Sequence, residues 1–215
     1  MSDISEATSD ELLLARISSG APDALAALFR RRQADVYRFA LHMSGTTAVA
    51  DDVTQDVFVV VMREARRYDP GRSTVTAWLC GIARNCVRQR LERDGRWQSL
   101  DDRAITDETQ LRAIDADPLV DLTRNERLAM LRSAVLALPI RYREVIVLCD
   151  LEELSYLEAA GALGCALGTV RSRLHRARAL LARRLTALHD RAAASGNTAR
   201  PGDSRLPVPQ KRCIA

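Results

Sequence analysis

The sequence predicts an all-α protein of two helical domains joined by a flexible linker. Three observations carry this. Apolar residues recur at threes and fours along most of the chain, and the N-terminal half shows no alternating strand pattern. One polar, acid-rich, aperiodic stretch separates two periodic halves. Hydrophobic residues make up 47% of the 215 residues but aromatics only 4%, so the core draws on Leu, Val, Ile and Ala. Of these, Leu and Ala are among the strongest helix formers. The expected boundaries are a first domain over 1–93, a linker over 94–122, a second domain over 123–190 and a disordered tail over 191–215.

The first helix lies within the first 20 residues, with Ser9 or Asp10 able to cap it and Gly20 to end it. A second begins at Pro22, a favoured first-turn position. Its apolar residues Leu25, Leu28, Phe29, Val36, Phe39, Ala40 and Met43 share one face, and Ser44-Gly45 closes it. The third is expected from about Ala48 to Tyr68, with Val53, Val57, Val60 and Val61 inward, and Asp69-Pro70-Gly71 stops it. The fourth runs from about Thr76 to Arg93 on an apolar stripe of Trp78, Leu79, Ile82, Ala83 and Cys86.

From Asp94 the segment turns polar, with Pro118 near its end, and reads as a linker. Periodicity returns from about Thr123 to Leu138. Pro139 then opens a helix carrying Tyr142, Val145, Ile146 and Cys149. Ser155 is a plausible N-cap for a short helix. A turn marked by Gly161, Gly164 and Gly168 leads to a last helix from about Thr169 to His189, with Val170, Leu174, Ala177, Leu181, Leu185 and Leu188 inward. Three prolines beyond Ala193 mark the tail.

Several function classes drop out. The acidic, polar start MSDISEATSDE is unlike a signal peptide, and no apolar run approaches the roughly 18–20 residues of a membrane span. The chain therefore reads as cytoplasmic. Five cysteines, Cys80, Cys86, Cys149, Cys165 and Cys213, are scattered without metal-ligand spacing. Cys80 and Cys86, six apart on one helix, are badly placed for a disulfide. No phosphate loop, metal cluster or Ser-His-Asp pattern is present, and His42, His175 and His189 are isolated. No cofactor, metal or catalytic activity is expected.

The formal charge is only +4, so the placement of charge matters more than its sum. All but one of the 32 basic residues are Arg, the exception being Lys211. In the last helix Thr169, Ser172, Arg173 and Arg176 fall on one side, flanked by Arg171 and Arg178. With the short helix and glycine turn just upstream, this is the layout of a helix-turn-helix. Arg forks onto guanine, while Ser and Thr suit phosphate. A solvated Arg-rich face is the plain alternative, and the upstream helix and turn tip the balance to DNA.

A second basic face combines Gly81, Arg84, Asn85 and Arg88 on the fourth helix, with Tyr68 and Trp78 nearby. Basic groups beside aromatics suit single-stranded DNA. Spacing alone leaves this even with a solvated face, and Trp78 taken alone reads as core. On the third helix Asp52 and Asp56, four apart, are a like-charge pair that costs the helix a little. A face of that kind suits a basic partner helix.

These residues carry a family resemblance. DDVTQDVF at 51–58 resembles the polymerase-binding helix in region two of sigma factors. YDPGRSTVTAWLCGIARNCVRQRL at 68–91 is similar to the strand-separating loop and −10-reading helix that follow it. LPIRYREVIVLCDLEELSYLEAAGALGCALGTVRSRLHRARALL at 138–181 resembles region four, which reads the −35 element. The likeness covers about 25–190, and the absence of large extra regions points to the extracytoplasmic-function (ECF) class.

The resemblance implies two domains, region two and a region-four helix-turn-helix, and a transcription initiation factor for core RNA polymerase. It implies polymerase contacts at Asp52, Gln55 and Asp56, with Val53 and Phe58 partly core. It implies −10 contacts at Arg72, Arg84, Asn85 and Arg88, and −35 contacts at Thr169, Arg171, Ser172, Arg173 and Arg176. Promoter DNA and an anti-sigma factor are the further partners implied. The chain departs from the family pattern at Cys165-Ala166-Leu167, where a proline is common, in the low aromatic content of its recognition loop, and in its tail. The competing reading is an autonomous helix-turn-helix regulator, which accounts for region four but not for DDVTQDVF or the second basic helix.

Overall fold

The computed structural model describes residues 8–93 and 124–196, and every regular element among them is helical. The linker expected over 94–122 falls outside the described residues, as does the tail beyond 196. The helices are α1 (Asp10–Ser18), α2 (Pro22–Ser44), α3 (Thr47–Glu64), α4 (Val75–Arg93), α5 (Arg124–Leu136), α6 (Ile140–Ile146), α7 (Tyr156–Leu163) and α8 (Leu167–Gly196).

Helices α1 to α4 form the first domain around Leu13, Leu14, Leu28, Phe39, Met43, Val53, Val57, Val61, Ala83 and Val87, all at the core. Local chemistry sets the ends. Ser9 caps α1 by accepting from the Leu12 N–H at 3.3 Å, which settles the choice between Ser9 and Asp10. Gly45 ends α2 in the left-handed conformation at φ 78°, a geometry that suits glycine. A Cβ there would also meet Leu136 of α5 at 2.8 Å.

The third helix departs from expectation. Its α-helical part ends at Glu64, and Ala65–Arg67 tighten into a 3-10 turn before Tyr68. Val60 is only half-buried because the apolar face is taken by Val53, Val57 and Val61. Trp78 is also half-buried, and it meets the Tyr68 ring edge-on at 5.5 Å.

Helices α5 to α8 form the second domain. After α6 the chain makes one π-helical turn over Val147–Leu151, then places Glu153 at φ 56°. That backbone excursion aims Ser155 at the start of α7. There Ser155 and Glu158 satisfy each other's backbone N–H groups in a capping box. Gly164 closes α7 at φ 63°. The last helix is longer than its periodicity suggested, starting at Leu167 and running to Gly196, past the expected boundary at 190. Val170, Leu174 and Ala177 are buried; Leu181, Leu185 and Leu188 are half-buried, because α8 projects past the helices that cover its start.

The two domains touch. Arg143 of α6 is almost fully buried and donates to the Met43 carbonyl at the end of α2 at 2.7 Å. It also donates to the carbonyls of Leu136, the last residue of α5, and of Leu138 just beyond it. A cation thus satisfies orphan carbonyls at two helix C-termini at once.

Candidate polymerase- and DNA-binding faces

On α3, Val53 and Phe58 are buried while Asp52 and Gln55 are exposed and Asp56 is half-buried. The Asp52–Asp56 repulsion expected from their spacing is relieved from within. Arg90 of α4 reaches Asp56 at 2.7 Å and also pairs with Asp52. Those carboxylates, Asp56 first, hold the Arg90 guanidinium above its ordinary pKa. The result is an acidic surface edged by one arginine.

Beside it runs an apolar groove of about 580 Å³ between α2 and α3, lined by Leu25, Phe29, Gln55, Phe58, Val59 and Met62 among others. Phe29 and Phe58 meet edge to face at 4.8 Å across its floor. Val59 and Met62 line its rim, Met62 with 55% of its surface exposed. An amphipathic helix finds here both an apolar slot and a polar border. The groove was not foreseen from the sequence, although Val59 and Met62 break the apolar face of α3 outward and give a sign of it.

The second face centres on the start of α4. Tyr68 Oη donates to the Ser73 carbonyl at 3.0 Å and Asp69 accepts from the Gly71 N–H at 2.9 Å, so the loop is a defined turn. Arg72 and Asn85 are exposed. Arg88 reaches Glu92 at 3.5 Å on the same helix. Arg84 is turned to the other domain, where its Nε donates to Glu144 Oε1 at 2.6 Å. The four expected −10 residues therefore divide: two are open to solvent, one is loosely paired and one is held by a region-four carboxylate.

The third face is the start of α8. Arg171, Ser172 and Arg176 are exposed, Thr169 and Arg173 half-buried, and Val170, Leu174 and Ala177 turn inward. Thr169, Ser172, Arg173 and Arg176 thus share one face, flanked by Arg171, of a helix preceded by a short helix and a left-handed glycine turn. Arg178 does not join them. It grips Asp150 at 2.6 Å and 3.1 Å, anchoring α8 to the π-helical turn.

The comparisons match this geometry. The Sigma-70 region 2 family matches residues 28–97, and Sigma-70, region 4 matches 128–181. The chain is 34% identical over 184 residues to the ECF RNA polymerase sigma factor SigC of Mycobacterium tuberculosis, covering 82% of this chain and 93% of that one.

The chain belongs to the ECF sigma factors.

It is also 40% identical over 150 residues to the ECF RNA polymerase sigma factor SigE of Mycolicibacterium smegmatis, covering 69% of this chain but only 56% of that relative's length. Among solved structures, CnrH in complex with the cytosolic domain of CnrY superposes with a TM-score of 0.60 at 29% identity, over 83% of this chain and 97% of that one. The sigma factor RpoE in complex with the anti-sigma factor NepR from Bartonella quintana gives 0.55 at 27% identity, over 72% and 91%.

In this ECF sigma factor the described cysteines are free. Burial pushes the Cys80 thiol up to about 12 and Cys149 up to about 11. Among the described residues no His, Cys, Asp and Glu cluster is arranged to hold a metal ion. No described helix is long and apolar enough to cross a membrane.

Proposed function

We propose that this sigma factor docks core RNA polymerase on the surface of α3, reads the −35 element with α8, and engages the −10 element through Arg72, Arg84, Asn85 and Arg88. In this reading Asp52, Gln55 and Asp56 are the polymerase contacts, and Val53 and Phe58 hold their helix in place. Thr169, Arg171, Ser172, Arg173 and Arg176 enter the major groove of the −35 duplex. Each DNA-binding domain binds weakly alone, and fixing both to one polymerase raises their effective concentration on the promoter. The loop at Gly71 to Thr76 holds a base flipped from the non-template strand while region two opens the duplex. The chain contributes binding, and the polymerase supplies the catalysis.

The observation that carries this reading is the presence on one chain of both an Arg/Ser/Thr face on α8, exposed at Arg171, Ser172 and Arg176, and an acidic, groove-edged surface on α3. An autonomous operator-binding regulator has use for the first and none for the second. Two relatives of known structure are bound to other proteins, one of them an anti-sigma factor by name. A partner of that kind is proposed here too.

The test is size-exclusion chromatography of the chain with bacterial core polymerase, followed by footprinting on a random upstream DNA library. The reading expects co-elution and paired protection at two sites of fixed spacing. Tight protection by the chain alone, with no co-elution, contradicts it.

A further inference from the structure

The α2–α3 groove pairs an aromatic floor with an acidic border. Phe29 and Phe58 meet edge to face at 4.8 Å, and Leu25, Val59 and Met62 extend the apolar lining. Val59 and Met62 are 41% and 55% exposed, so the described residues leave the slot uncovered. Among the described residues that line it, only Arg30 is charged. Acids stand along its edges. Asp23 follows the lining Pro22 on α2, and Asp51 lies one turn before the lining Gln55 on α3, both exposed. Asp52 and Asp56 continue that edge and are shared with Arg90. A ligand that fits presents a narrow apolar strand flanked by cations.

The chain carries such a segment beyond Gly196. Of residues 197–215, Arg200, Arg205, Lys211 and Arg212 are basic and only Asp203 is acidic. Within it runs Arg205-Leu206-Pro207-Val208-Pro209-Gln210-Lys211-Arg212. Each proline fixes its own φ near −65° and disfavours the helical region for the residue before it. Residues 206–209 therefore favour the extended polyproline II form, which aromatic-lined grooves take at low cost in chain entropy. The 19 residues after α8 can extend to about 65 Å, against about 35 Å for the whole length of α2. That is tether enough to run the length of the first domain.

We propose that residues 205–212 of this chain dock in its own α2–α3 groove, with Leu206 and Val208 against Phe29 and Phe58 and the flanking cations toward Asp23 and Asp51. Tethering makes the contact intramolecular, so an interaction too weak to hold a free peptide at low concentration still fills the groove for part of the time. The segment then competes with core polymerase, a consequence that rests on the proposed role of this face in polymerase docking. Apparent affinity for core falls with the fraction of molecules whose groove is open.

The test uses the full chain in two forms, unaltered and L206S/V208S, whose substitutions lie outside both helical domains. The chain has four methionines, of which Met62 rims the groove and Met43 is fully buried. With methyl-labelled methionine, docking expects the Met62 NMR signal to move between the two forms while the Met43 signal stays. A synthetic peptide of residues 203–215 added to L206S/V208S should move the Met62 signal back and saturate. The same peptide with both serines should not. Core polymerase should bind L206S/V208S about two- to tenfold more tightly than the unaltered chain. An identical Met62 signal in both forms overturns the docking. A shift lost on dilution overturns the intramolecular contact and gives the groove to the tail of a second copy. A shift that survives dilution, with equal core affinity in both forms, overturns the competition while docking stands. Met62→Glu then separates the two readings: weakened core binding keeps the polymerase role of the groove, and unchanged binding overturns it.

Discussion

Arg84 and Glu144 lie sixty positions apart in sequence and 2.6 Å apart in space, joining α4 of the first domain to α6 of the second. Removing the carboxylate leaves a largely buried guanidinium without its counter-charge. Glu144→Ala should therefore cost about 3 kcal/mol of stability. Removing both partners should recover part of that cost, because neither charge is then stranded. Urea denaturation of the two single variants and the double variant measures the coupling.

Met62 and Val59 stand exposed at the rim of the α2–α3 groove, so a polar substitution there spares the core. Met62→Glu should leave the melting temperature nearly unchanged and weaken core-polymerase binding by tenfold or more, about 1.4 kcal/mol. Calorimetry and binding of the labelled variant to core polymerase separate the two effects. A variant that unfolds would place Met62 in the core instead.

Arg176 is exposed on the face proposed to read the −35 element, whereas Arg178 is held by Asp150. Arg176→Ala should cost about 1–3 kcal/mol of promoter affinity and relax sequence preference at one position. Arg178→Ala should instead loosen α8 and lower stability. The holoenzyme's affinity measured across a promoter-variant series, with the salt slope, distinguishes base contact from phosphate contact.

Glu158 is held below its ordinary pKa, first by the Ser155 side chain and then by Thr74. Its folded pKa is depressed, so its contribution is present above the ordinary glutamate value of 4.5 and is lost as pH falls through the folded value. Glu158→Gln should flatten the pH dependence of stability below that point and leave the neutral region parallel to the parent. Thermal melts across the acid range read this directly.

The burial that pushes Cys80 up to about 12 keeps it protonated at neutral pH. Iodoacetamide at pH 8 should modify Cys80 far more slowly in the native protein than in denaturant. Mass spectrometry of the alkylated peptide gives both rates, and equal rates would contradict the burial.

The helices were legible in the sequence because each buries one stripe with few competing signals. Caps at Ser9, Gly45, Ser155 and Gly164 agree with that periodicity, so local and global preferences coincide. The π-helical turn at Val147–Leu151 was not legible. It lies inside a continuous apolar run, and nothing local separates i→i+5 from i→i+4 pairing there. The inward stripe of α8 packs on the core as far as Leu181 and was overdrawn at Leu185 and Leu188, because periodicity records which side is apolar, not whether a neighbour covers it.

The helix-turn-helix could be read from spacing, since a helix, a glycine turn and an arginine helix occur in order, and its −35 role came from the family resemblance. The partners of Arg84, Arg90 and Arg143 could not be read from spacing. Asp52 and Asp56 were recognised as repelling, but the arginine that reconciles them comes from the next helix. Nothing in the spacing sets Arg143 apart from the other basic residues, yet it is buried against three carbonyls. Such pairings depend on tertiary approach and leave no periodic trace. The roles assigned to individual site residues came from family likeness rather than spacing.

The central claim is that this chain confers promoter-specific initiation on core RNA polymerase. In vitro transcription with core polymerase on a library of upstream sequences, with and without the protein, tests it most directly. The account predicts transcripts that appear only with the protein, start at fixed distance from a shared pair of upstream elements, and weaken with Arg176→Ala. Transcripts independent of the protein, or none despite stable binding of the chain to duplex DNA alone, would contradict it.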